Sequence, residues 1–366
     1  MKRLIVSLVS ILSLFFLSVV PGQAEENVNY QIPIQDLHPT QAALGKVQLA
    51  AKLSTYIDSN NNLTSAYYSD FNDDNGYLNG NYVDQNGQTI SAKKTFYKTA
   101  SIYDVVEQVS GVGPTVPSTP AADVVIGPGH IYYLVDGHHG VSEYLFVHQM
   151  TGKGDTSVNV KVLADWSNLK TNQFWNEMKA QHYYYPKAYD AKTRSYKTID
   201  RRSLPQTIGV SYFINDPFRG LNYFWRKSAI NKDAISAPFA EFYWGEFLTA
   251  TGQFKDLSFN SDADYITAFN RGNQILKKLI NGDSKLTALF KKTITDSYGY
   301  TETQLGLQNT FDDSAISGQL SKLQSALAYA DNQPKLTDDE NTISFLGQGY
   351  HLGWKHNKHA IPATQK

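Results

Sequence analysis

Residues 123–150, DVVIGPGHIYYLVDGHHGVSEYLFVHQM, constrain the fold more than any other stretch of the chain. Val-Val-Ile and Ile-Tyr-Tyr-Leu-Val are short runs of β-branched, aromatic and aliphatic residues, bounded by Gly-Pro-Gly and Asp-Gly turn signals. Such side chains fit a pleated surface and glycine permits sharp reversals, so the pattern predicts two strands. After Asp136-Gly137 the run VSEYLFV predicts a helix. The alternating segment VNVKVLADW, residues 158–166, predicts a further strand. Strands and a helix in one stretch predict a domain of mixed α and β structure.

The remaining chain divides around this centre. Met1-Lys2-Arg3 precedes the apolar run Leu4 to Val20, and Pro21-Gly22-Gln23-Ala24 supplies small residues for cleavage. That is the anatomy of a secretory signal peptide cut after Ala24, with an uncleaved anchor as the alternative. No later stretch is apolar enough to span a bilayer, so the mature chain is expected to be secreted and to have no membrane span. Residues 1–24 are thus the signal peptide, and residues 25–165 the α+β domain. Within that domain Pro39-Thr40 precedes QAALGKVQLAAKLSTYI, a helix signal. Residues 58–120, rich in Asn, Asp, Gly and Ser, read as turns, short strands and a linker. Residues 166–335 read as a mainly helical region packed on that domain, carried by NQFWNEMKAQHYYY, PFAEFYWGEFLTATG and ADYITAFNRGNQILKKLINGD. Residues 336–366 read as a polar tail.

Composition removes whole classes of chemistry. With no cysteine, thiolate zinc sites, iron–sulfur clusters, disulfides and a cysteine nucleophile are excluded. With 33 Lys+Arg against 34 Asp+Glu, the chain has no basic footprint for duplex DNA. Serine-hydrolase, zinc-protease and P-loop motifs are absent from the sequence. Aromatic residues are 13% of the chain, with 24 Tyr, and the reading favoured for them is core and its rim rather than a base-stacking groove.

The turn Asp136-Gly137-His138-His139 is where this pattern would build a site. A helix N-terminus presents unpaired N–H groups and partial positive charge, which suits phosphate. On the residues alone two readings stay open. In one, Asp136 is an N-cap and the histidines are packed or solvated. In the other, Asp136 binds a metal or accepts a proton, while the imidazoles donate to an anion, act as acid or base, or ligate a metal. Glu143, four residues after His139, shares its helical face and could orient that ring.

The segment VVIGPGHIYYLVDGHHGVSEY resembles the central motif of the ParB/sulfiredoxin superfamily, a strand leading to a D-G-H-H-R-like turn and a helix. Upstream, DLHPTQAALGKVQLAAKL (36–53) is similar to the opening of its secreted ParB-like nuclease branch. NDPFRGLNYFWR (215–226) and EFYWGEFL (241–248) resemble later blocks of that branch. The resemblance spans about residues 33–250. It implies a small α+β fold, a mixed sheet with helices followed by a mainly helical C-terminal half, and phosphate binding at the helix after the turn. Carried over, Gly137, His138, His139 and Gly140 form a phosphate cradle, and Asp136 orients substrate or a divalent metal such as Mg²⁺. Gln41 and Lys52 then lie on the first helix, facing the turn. The branch's Arg after the second His is Gly140 here, which removes a bidentate phosphate clamp. Arg219 is the residue that could replace it.

Two function classes follow. One is an extracellular enzyme on a phosphate-containing small molecule or nucleic acid, either a nuclease or phosphodiesterase or a nucleotide-dependent phosphotransferase. In it His138 or His139 is the general base, Asp136 holds a metal, and Glu143 supports the imidazole. The other is a non-catalytic extracellular or envelope binding protein that keeps the fold. Glu241 and Glu246, five residues apart, make a poor carboxylate pair on one helix, and His351, His356 and His359 offer a weaker metal cluster.

Overall fold

The structure, a computed structural model, describes residues 29–76, 122–337 and 342–347, with short stretches at 81–83, 89–91, 98–101, 103–104 and 113–114. The expected signal peptide and the three C-terminal histidines lie outside the described residues.

The N-terminal part contributes β1 (Asn29–Pro33), β2 (Leu37–Pro39), β3 (Ala43–Leu44), α1 (Lys46–Tyr56) and α2 (Ser65–Asp74). A small three-stranded sheet follows, built from β4 (Asn81–Val83), β5 (Thr89–Ser91) and β6 (Gly113–Pro114). The patterned centre then forms β7 (Ala122–Gly127), β8 (Ile131–Leu134), α3 (His138–Thr151) and β9 (Ser157–Asp165), in the expected order.

The main sheet has the order β1-β9-β7-β8-β2 and is mixed. β7 runs antiparallel to β8 and parallel to β9, and β2 lies parallel to β8 with Leu37 opposite Tyr132. Successive side chains of a strand face opposite ways. Val124 and Leu134 accordingly enter the main core beneath α3, while Val125 and Val135 meet Phe174 and Met178 in a second, smaller core. Those two residues come from α4 (Thr171–Ala180) on the other face of the sheet.

Beyond α4 lie the hairpin β10 (Lys187–Asp190) and β11 (Ser195–Thr198), then β12 (Ile214–Asn215), which pairs parallel with β3. The helices α5 (Pro217–Trp225), α6 (Ala240–Ala250), α7 (Asp262–Ile280), α8 (Ser284–Phe290) and α9 (Ala315–Asp331) complete a mainly helical half. β13 (Leu336–Thr337) and β14 (Thr342–Ile343) close the described chain. The expected α+β class with a helical second half is therefore what forms.

α1 is the hub. Its residues Lys46 to Ala51, with Leu53 and Tyr56, are all buried, so it has little solvent face, as expected of a helix enclosed by others. It packs on α2, α3, α5 and α9. Its start touches α5 so closely that a Cβ on Gly45 would lie 2.4 Å from the Gly220 Cα. Only glycine at both positions permits that crossing.

The aromatic enrichment is mostly core. Trp225 and Trp244 are fully enclosed, and their indole N–H groups donate to the carbonyls of Phe269 and Leu305 at 3.1 and 2.9 Å. Each stabilises the fold by about 2–3 kcal/mol through burial. Tyr185 stacks on Phe242 at 4.5 Å between ring centres.

Four local expectations need correction. The first helix starts at Lys46 rather than just after Thr40, because residues 40–45 stay extended and give backbone N–H groups to the site described below. The Asn/Asp-rich stretch contains α2, which Thr64 caps by accepting from the Ala66 and Tyr67 N–H groups. Tyr67 and Phe71, one turn apart, pack with Tyr144 of α3, and that burial outweighs the turn-forming composition. The segment expected to be helical through Tyr185 stops at Ala180, and the hairpin follows. The stretch read only as a polar tail holds the short β13–β14 pair.

Candidate functional site

The turn after β8 builds the site. Gly137 is the N-cap of α3 at φ 91°, a left-handed conformation that glycine adopts without steric penalty. Asp136 is not the cap: its Oδ1 accepts from the Gly137 N–H at 2.7 Å. Val141 N–H is the first to bond back, to the Gly137 carbonyl at 3.1 Å. The N–H groups of His138, His139 and Gly140 have no acceptor among the described residues. These three donors, at the positive end of a helix of 14 residues, are the group a phosphate would meet.

Both imidazoles are buried and tie α3 to the extended segment before α1. His138 Nε2 accepts from Thr40 N–H at 3.2 Å, and His139 Nε2 accepts from Gly45 N–H at 2.9 Å. A neutral ring that accepts at Nε2 carries its proton on Nδ1. Burial, reinforced by the Arg219 charge, lowers His138 to about 3 and His139 well below its ordinary value. Both rings are therefore uncharged donors at neutral pH, with the Nε2 lone pair already used.

They border a cavity of about 260 Å³. One wall is α2, whose Asp70, Asp73 and Asp74 fall on adjoining positions of one helix and all line the space. Asp70 pairs with Lys52 of α1 and accepts from the Tyr56 hydroxyl at 2.7 Å. Asp74 accepts from the Tyr144 hydroxyl at 2.6 Å. Between them sits Glu143, 3% exposed, with Oε2 at 3.4 Å from the Tyr56 hydroxyl and Oε1 without a partner among the described residues. Burial pushes Glu143 up to about 8 and Asp74 up to about 6. Glu143 thus keeps its proton at neutral pH.

The opposite wall is α5 with the residues after it. Arg226, Tyr223 and Lys232 line the cavity, whereas Arg219 stands just behind. Arg219 Nη1 donates to Gln48 Oε1 at 2.6 Å, and Gln48 is itself a lining residue. Arg226 donates to Glu241 at 3.0 Å, and Arg219 approaches the same carboxylate at 3.6 Å. Burial alone would raise Glu241, but the two guanidinium groups outweigh it and hold the carboxyl at about 2. Burial likewise raises Asp136, opposed by its Gly137 N–H bond. Glu246 lies elsewhere, bound to Lys187, Tyr185 and Tyr298.

The structure thus brings together Asp136, Gly137, His138, His139, Gly140, Glu143, Lys52 and Gln41 around one space. Gln41 precedes α1 rather than riding on it. Arg219 does not line the cavity; it holds the lining residue Gln48 and acts on the two histidines through its charge. Arg226, Tyr56 and the three α2 carboxylates escaped sequence reasoning. Arg226 was findable, since it follows Arg219 by two helical turns on the same face. The residue at 140 has a steric reason to be glycine, because a Cβ there would lie 2.6 Å from Asp74 Oδ2. Among the described residues no three His, Asp or Glu side chains are arranged to hold a metal ion. Among them also, no helix is long and apolar enough to cross a membrane.

A mixed sheet that feeds a Gly-His-His helix start, with charged helices closing a polar cavity over it, defines the class: an α+β domain with its cavity at the start of a helix. The chain belongs to the ParB-like nuclease family: the family model described as "Putative ParB-like nuclease" matches residues 30–250, from β1 to the end of α6. The crystal structure of protein Atu1540 from Agrobacterium tumefaciens is similar at 20% identity and a TM-score of 0.41, covering 69% of this chain and 93% of that one. No curated protein matches the chain.

Proposed function

We propose that the cavity binds a phosphate ester on the first turn of α3 and hydrolyses it, as a nuclease or phosphodiesterase would. The observation that carries this reading is the set of three unpaired N–H groups beside a carboxylic acid that keeps its proton at neutral pH. The N–H groups and the His138 and His139 Nδ1–H donors receive phosphate oxygens, and Lys232, which lines the cavity, adds positive charge. Asp136 accepts a proton from the attacking water as the new P–O bond forms. Glu143 gives its proton to the leaving ester oxygen as the old bond breaks. Two carboxyl groups with different environments thus take opposite roles. In this reading the imidazoles hold the phosphate and the proton work falls to the carboxyl groups.

The test is cleavage of a single-stranded oligonucleotide and of bis(4-nitrophenyl) phosphate by wild type, Glu143→Gln and Asp136→Asn. Each substitution is expected to lower kcat by about 10²–10⁴ with folding retained, the range for loss of a general acid or base. Parallel runs with EDTA and with Mg²⁺ read whether a divalent ion adds to these residues. Phosphate binding without turnover by wild type would instead identify a non-catalytic binding protein. Export is part of the same proposal: N-terminal sequencing of the processed protein should begin at Glu25, and retention of Met1 would refute it.

A further inference from the structure

Resting on that reading, we infer that the site takes one isolated phosphate group, as a monoester or diester, and rejects the adjoining phosphates of a nucleoside di- or triphosphate. The cradle is bounded on its open side by a carboxylate. Asp74 Oδ2 lies 2.6 Å from where a side chain on Gly140 would begin, beside the third unpaired N–H group. The Tyr144 hydroxyl, donating at 2.6 Å, fixes that carboxylate in place. Asp70 and Asp73 extend the same negative face along α2 and line the same space.

A chain of phosphates needs cations beyond the first anion site. Here the lining cations are largely spent. Lys52 is paired with Asp70, and Arg226 with Glu241. Lys232 has no ion-pair partner among the described residues and can serve one phosphate. A second and third phosphate would face three carboxylates, a like-charge juxtaposition that discriminates by repulsion. Independently of the helix end, Glu143 lines the cavity and carries a buried oxygen with no partner among the described residues, a group placed for a ligand. The inference separates the two enzyme classes: it favours a diesterase and opposes a phosphotransferase that spends nucleoside triphosphate.

The experiment is isothermal titration of the full protein with inorganic phosphate, AMP and ATP, each with and without Mg²⁺. Wild type, Asp74→Asn and Asp73→Asn are compared. Wild type is expected to bind AMP at least tenfold more tightly than ATP. Asp74→Asn should narrow that ratio to threefold or less, and the exposed Asp73→Asn should narrow it in the same direction without touching the core. ATP binding as tight as AMP to wild type, or an unchanged ratio in both variants, overturns the inference while leaving phosphate binding intact. Failure of all three ligands overturns the binding reading itself.

Discussion

Replacing Glu143 by Gln should make the protein more stable at alkaline pH while removing its activity. Glu143 is 3% exposed, and burial moves its carboxyl from an ordinary 4.5 to about 8. Between those values the folded chain holds a proton that the unfolded chain has released. Stability therefore falls as pH rises through the window, and this group's contribution is level below about 4.5 and above about 8. Each pH unit inside the window costs up to about 1.4 kcal/mol, so the whole shift amounts to at most about 5 kcal/mol. Gln cannot ionise and still accepts from Tyr56. Urea unfolding of wild type and variant from pH 5 to 9 should show a difference growing in favour of Glu143→Gln and levelling near pH 8. Asp74, raised to about 6, gives wild type a slope of its own, so the difference between the two curves is the diagnostic quantity. Parallel curves would refute the claim that Glu143 is a buried neutral acid.

Other substitutions probe the frame around it. His139→Ala leaves the buried Gly45 N–H without its acceptor and should cost about 1–3 kcal/mol in unfolding free energy, more once lost packing is added. A cost under about 0.5 kcal/mol would show that the ring does not brace α3 to α1. Gly45→Ala drives a Cβ to 2.4 Å from the Gly220 Cα and should destabilise by about 1–3 kcal/mol or more, read as a lowered Tm. An unchanged Tm would mean the crossing can open at little cost.

Much of the centre was legible because strand and turn chemistry are local. Gly-Pro-Gly and Asp-Gly marked where β7 ends, where β8 begins and ends and where α3 begins, and the alternation of residues 158–166 coincides with β9 to within one residue. What stayed hidden depends on long-range burial. α2 looks like a turn-rich stretch until Tyr67 and Phe71 meet Tyr144, a contact across more than 70 residues. The late start of α1 is set by His138 and His139, nearly a hundred positions away. The site divides in the same way. Asp136 to Glu143 are contiguous and readable, whereas the carboxylate wall of α2 and Arg226, just after α5, arrive through packing. That packing also explains Gly140, which in sequence reads only as a lost arginine and in space is the room Asp74 requires.

The central claim is that phosphate sits on the first turn of α3. An amide-resolved ¹H–¹⁵N NMR titration of the protein with inorganic phosphate tests it most directly. Saturable shifts concentrated on the His138, His139 and Gly140 N–H resonances, competed away by AMP, are the predicted result. Saturable shifts elsewhere with those three amides unmoved, or no saturable shift at all, would contradict it.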